Sequence, residues 1–195
     1  MCWYVFENNT TKLLFKAFCF MLKLMNELDE VWARKLSEAR LKAQTSGSVD
    51  VAEYLALKAT NDLIRQTSVE WLFGSTLEIA SDAIRRGTNI TIENEHPHRF
   101  AFENATLAGS LVRFRQGVRC VSLEAGWTRT PNDGFMRGGA LAAARIVHFG
   151  ISKHNAQLLL LRTGDAPNWF TALDENRRVL FNAIELQRHF RVFLG

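Results

Sequence analysis

From Asn26 to about Gln44 the apolar side chains fall at Leu28, Val31, Trp32, Leu36, Ala39 and Ala43, which is helical spacing with one narrow stripe. Glu30–Arg34 and Glu38–Lys42 sit four apart with the acid first, a favourable order on a helix surface. Thr45-Ser46-Gly47-Ser48 supplies turn chemistry. A second helix is predicted from Ser48 or Asp50, with Asp50 and Glu53 at capping-box spacing and Val51, Leu55, Ala59 and Leu63 as its periodic positions. Thr67-Ser68-Val69-Glu70 repeats the capping signature. The pattern therefore predicts a third helix over 68–86, with Trp71, Leu72, Ile79, Ala80 and Ala83 as its apolar positions. Arg85 and Arg86 suit its negative end, and Gly87 suits a left-handed cap.

After Gly87 the period changes to two. Ile90 and Ile92 alternate with polar residues, as do Phe100 and Phe102, and the link Glu95–His98 with Pro97 predicts a short hairpin between them. Leu107 is out of phase with Val112 and Phe114, which predicts a bulge near Gly109-Ser110. A two-residue loop at Gln116-Gly117 would set Arg115 opposite Val118, Phe114 opposite Arg119 and Val112 opposite Val121. Val112, Phe114, Val121 and Leu123 then share the core face, and Arg113, Arg115, Cys120, Ser122 and Glu124 the wetter one. Residues 128–134, with Pro131 and Gly134, read as a loop. The alanines of 139–149 have helix propensity, but Ile146–Phe149 and Gln157–Arg162 pair better as a hairpin, and strand is preferred. Trp169–Leu173 is a further strand. Asn182 caps a last helix whose buried set is Ile184, Leu186, Phe190, Phe193 and Leu194.

The fold class expected is thus α+β: two to three N-terminal helices, an antiparallel meander sheet of about six to seven strands, and a C-terminal helix. Residues 26–195 read as one domain, helical over 26–87 and sheet over 88–195.

Residues 1–25 do not share this texture. They hold no Gly, Arg or Asp and are dense in Phe, Lys, Asn and Met. They lack the basic start and cleavage site of a signal peptide, and Leu13–Met25 is too short for a membrane span. The readings are a translated extension upstream of a start at Met25, a docked helix, or an interfacial membrane helix, in that order. Three scattered cysteines, Cys2, Cys19 and Cys120, show neither zinc spacing nor a disulfide framework, which points to a reducing, cytoplasmic setting.

Net charge is +4, and residues 88–195 carry thirteen basic against nine acidic side chains, twelve of the thirteen being arginine. Arginine forks suit phosphates and carboxylates. Arg113, Arg115, Arg129 and Arg137 with Trp127 form the candidate binding surface around the 127–139 loop, though arginines pairing with Glu93, Glu103 and Glu124 across the sheet are the simpler reading. His96 and His98 flank Pro97 and are the candidate metal pair; His148, His154, Glu93 and Asp133 could complete it at no recognisable spacing. No nucleophile elbow or phosphate loop is present, and Gly138-Gly139 lacks a dinucleotide pattern. No catalytic residue and no cofactor are assigned.

Three functional expectations follow. The first is a non-catalytic binding or assembly protein, a homodimer or other self-associating form, built on the narrow stripe of helix 26–44. The second is a nucleic-acid binder using Arg113, Arg115, Arg129 and Arg137. The third is a metal-assisted enzyme at His96 and His98. No membrane span is expected.

Overall fold

The computed structural model describes residues 30–164, 166–174 and 177–195. The expectations for residues 1–25, including a start at Met25, lie outside these residues. The chain divides into two compact units, one ending at Asp62 and the other spanning Leu63–Gly195.

In the first unit, helix α1 covers 30–45 and turns into α2, Val49–Arg85, which continues into the second unit. Gly47, at φ 74, makes the turn: Ser48 N donates to Ala43 O and Gly47 N to Gln44 O, the paired bonds of a Schellman cap. The Lys58 ammonium lies 5.6 Å from the Trp32 ring centre, so α1 and the start of α2 run side by side. Leu36, Ala43 and Ala52 are buried here.

The expected break between a second and a third helix does not occur. Thr67 does not cap a new helix, because its hydroxyl donates to Leu63 O at 2.9 Å, in the turn before it. Thr60 and Thr76 bond back in the same way, to Ala56 O and Leu72 O. With no proline in 49–85, α2 runs unbroken to a second Schellman cap, where Thr88 N meets Ala83 O, Gly87 N meets Ile84 O, and Gly87 has φ 95.

In the second unit a seven-stranded antiparallel meander follows in simple sequence order. The strands are β1 Thr91–Phe102, β2 Ala105–Gln116, β3 Arg119–Trp127, β4 Ala142–His148, β5 Ala156–Thr163, β6 Ala166–Ala172 and β7 Arg178–Phe181. Helix α3, Ala183–Leu194, closes the unit; Asn182 Oδ1 accepts from Ile184 N and Glu185 N, a cap worth about 1 kcal/mol. Leu186, Phe190 and Phe193 are buried as expected, whereas Ile184 is in water. The ambiguous stretch 139–149 contains a strand, the preferred assignment.

Three local expectations need correction. The hairpin within 90–102 is instead one twelve-residue strand, with its irregularity between Glu95 and His98. The bulge therefore sits in β1, and β2 is unbroken through Gly109-Ser110. The phase change from Leu107 to Val112 has a different cause: both faces of the sheet are buried. Val112, Phe114, Val121, Leu123, Ala144, Ile146, Leu158 and Trp169 pack with Val69, Leu72 and Phe73 of α2 and with Leu186 and Phe190 of α3. On the opposite face Phe100, Phe102, Leu107, Ala143, Leu159 and Leu161 form a second core, covered by Ala140 and Met136 of the loop after β3. Third, the β2–β3 loop is Gly117-Val118, with Gly117 at φ 58, so Gln116 faces Arg119 and Val112 faces Leu123. The register moves by two residues, which preserves parity, and the face assignments stand. Trp71, expected among the apolar positions of its helix, is 40% exposed; it lines an open cavity of about 290 Å³ with Thr67, Asn168, Leu180 and Asn182.

Gly109 and Gly126 face each other across β2 and β3. A Cβ on Gly109 would lie 1.9 Å from Ala125 O, and one on Gly126 would lie 2.6 Å from Ala108 O. Backbone cannot yield as a side-chain tip can, so Gly109→Ala is expected to lower stability by about 2–3 kcal/mol in urea unfolding. Gly74, inside α2, has nothing within 4 Å of its Cβ position, and Gly74→Ala should raise stability by about 0.5–1 kcal/mol. Equal effects of the two substitutions would contradict the close approach.

Candidate functional site: a charged row across the sheet

The sheet face that carries the second core also carries ionisable side chains, placed there by strand parity. Glu95 and His98 come from β1, Glu124 from β3 and Arg145 from β4. They join in a row. His98 Nδ1 lies 2.9 Å from Glu95 Oε1, and its Nε2 lies 3.0 Å from Glu124 Oε2. Arg145 Nη1 donates to Glu124 Oε1 at 2.9 Å and its Nη2 to Ala101 O at 2.9 Å. The imidazole stacks on Phe100 with ring centres 5.6 Å apart. His98 is register-paired with Gly109, so it reaches Glu124 on the second strand over without meeting a side chain on the strand between.

Electrostatics follow from this packing. Burial disfavours charge on His98, but its hydrogen bonds to Glu95 and Glu124 outweigh that and raise its pKa above the ordinary 6.5. The hydrogen bond to His98 lowers the pKa of Glu95. With His98 protonated the row alternates in sign and is neutral in sum, which ties β1, β3 and β4 together.

His96 goes elsewhere. Its Nδ1 lies 2.9 Å from Ser110 Oγ and 3.1 Å from Gly109 O, and Ser110 belongs to the helix-covered face. The irregularity between Glu95 and His98 puts the two imidazoles on opposite faces. They do not converge as a metal pair. Both ring nitrogens of His98 are already engaged, and among the described residues no three His, Cys, Asp or Glu side chains are placed to hold a metal ion.

The five residues of the expected binding surface are also dispersed. Arg115 pairs with Glu93 at 2.9 Å, and Arg113 lies 3.9 Å from Glu95, both on the face of the charged row. Trp127 is 3% exposed and belongs to the helix-side core. Arg129 stacks over its ring, 4.1 Å from the centre. Arg137 lies in the kinked turn before β4, followed by Gly138 and Gly139 at positive φ. The loop between Trp127 and that turn is organised by Asp133, which accepts from Thr130 N at 2.8 Å, Arg129 N at 3.1 Å and Thr130 Oγ1 at 3.0 Å, and pairs with Arg99 at 2.5 Å. The Thr130 amide leads these bonds in pushing the Asp133 pKa down to about 2.

A second cluster joins β4 to α3. His148 Nε2 lies 3.0 Å from His189 Nδ1, with the rings nearly parallel and 5.3 Å apart, and His154 stands edge-on to His148 at 6.1 Å. Burial, reinforced by the neighbouring imidazoles and Arg188, lowers the His189 pKa to about 4; burial and His154 lower that of His148. Sequence reasoning named His148 and His154 but missed His189, forty-one residues from its partner.

No family model, curated protein or solved structure matches this chain.

The two histidine sites have opposite pH signatures. His189 binds fewer protons folded than unfolded, so its contribution is complete above pH 6.5 and is lost as pH falls toward about 4. His98 binds its proton more tightly folded, so its contribution is complete below 6.5 and is lost as pH rises through its raised value. Urea unfolding against pH should show wild type losing stability between pH 6.5 and 4 relative to His189→Gln, and losing it as pH rises above 6.5 relative to His98→Gln. Parallel curves in either comparison would contradict the assignment.

Proposed function

We propose that this chain is a non-catalytic binding protein that assembles with copies of itself through the helical hairpin of its first unit. The observation that carries the reading is what the hairpin leaves in water. Trp32 is 47% exposed, Leu41 59%, Tyr54 65% and Leu57 53%. Tyr54 and Leu57 lie three apart, one above the other on the same side of α2. Each such side chain yields about 1.5–3 kcal/mol when fully buried, and a twofold seam buries each of them twice.

A second copy is the occupant that the charge pattern favours. Residues 30–62 hold five acidic side chains (Glu30, Glu38, Asp50, Glu53, Asp62) and five basic ones (Arg34, Lys35, Arg40, Lys42, Lys58). The segment is neutral in sum, so two copies approach without net repulsion, and it offers no field of one sign to a polyanion.

Light scattering on the full chain at tens of micromolar should give a mass of two chains or more. Tyr54→Lys/Leu57→Lys should shift it to one chain while leaving the circular dichroism spectrum unchanged, since both side chains face solvent. A wild-type monomer, or a double variant that still assembles, would overturn the reading.

A further inference from the structure

One end of the sheet combines exposed apolar tips with basic side chains. The β2–β3 loop presents Val118, 92% exposed, and the turn after β4 presents Phe149, 75% exposed. They belong to neighbouring hairpins, because Phe149 N donates to Cys120 O and His148 pairs with Val121. The meander brings further chain ends to the same place. Helix α2 ends at Arg85 and leads into β1 at Thr91, which pairs with Arg115 one residue from the end of β2. Helix α3 ends here too, since Arg119 Nη1 donates to Phe193 O.

Among the described residues, the charges without an opposite partner at this end are basic. Arg86, Arg119, Lys153 and Arg191 are exposed, and among the described residues none of them has a carboxylate partner. In the last turn of α2, at the start of β1 and in the β6–β7 loop the described carboxylates are paired: Asp82 with Arg85, Glu93 with Arg115 and Asp174 with Arg177. Apolar tips inside a basic surround match the two layers of an anionic bilayer surface, hydrocarbon below and phosphate or carboxylate at the headgroups. The tips sit in tight turns and are two side chains, which suits insertion between lipids better than seating on a protein face, where a continuous packed patch is needed. No described helix is long and apolar enough to cross a membrane, so the contact would be confined to the interface.

We propose that the sheet end formed by Val118 and Phe149, with Arg86, Arg119, Lys153 and Arg191 around them, docks on anionic lipid surfaces by inserting its two apolar tips. This surface is separate from the helical hairpin and stands or falls without it.

The test uses the full chain and sedimentation with vesicles of phosphatidylcholine alone or with phosphatidylserine added. Partition onto the serine-containing vesicles is expected, and little onto phosphatidylcholine alone. Val118→Ser/Phe149→Ser should weaken partition about tenfold or more, and Lys153→Glu about fivefold or more, without moving the thermal midpoint. Phe135→Ser, in the loop after the other end of β3 and 87% exposed, should leave partition unchanged. In Phe149→Trp, brominated lipid tails should quench the new fluorophore. Failure to bind serine-containing vesicles, binding that ignores the two tips, or equal affinity for soluble polyglutamate would each overturn the proposal; the last two would mark a merely ionic or protein-directed surface.

Discussion

The second unit depends on a single sheet that is buried on both faces. A one-sided sheet needs only alternation, but here β2, β4 and β5 each supply buried apolar side chains both upward to the helices and downward to the second core. β3 gives the lower core no apolar side chain and separates its two halves. Gly126, paired with Gly109 on one side and Ala143 on the other, puts no side chain on β3 at this crossing, so Leu107 and Leu159 can belong to one cluster. The same vacancy gives His98 its path to Glu124. Packing and the ion row therefore share one cause, the absence of a Cβ at two positions.

Much of this architecture was legible in the sequence because period and punctuation agree over most of it. Gly47, Gly87 and Asn182 mark helix ends by conformations and side-chain bonds that few other residues offer, and all three do so here. The helix break at Thr67-Ser68 was misread because the same residue types cap a helix start or bond back inside one, and only the surrounding packing decides. The strand 91–102 was misread for a related reason. Proline at position 97 reads as a turn, yet on a sheet edge it is tolerated at a bulge, where no ladder bond is needed from it. It also blunts that edge against pairing with another chain.

The charged row was only partly legible. Strand parity correctly put Arg113, Arg115 and Glu124 on one face, even though the assumed pairing was two residues off. Which charges meet depends on the lateral order of strands and on the irregularity in β1, and neither has a local signature. His96 and His98 look like a pair because they are two apart in an extended segment; the irregular register sends them to opposite faces. His148 and His189 look unrelated, one at a strand end and one in a helix, and only the return of α3 along the sheet joins them. Trp127 resembled a surface aromatic beside a loop, but its position on the helix-side face buries it under Arg129.

The simple strand order has a further consequence, for how the chain acquires its structure. Each strand pairs with the one made just before it, so the sheet can grow by one hairpin at a time as synthesis proceeds, with short loops to close at each step. The upper core cannot be completed in this way, because Leu186, Phe190 and Phe193 lie in helix α3, which follows all seven strands. Until those residues emerge, Phe114 and Ile146 have no helix α3 over them. The nascent sheet is exposed on that side for the whole interval, which is when a chaperone would have most to hold.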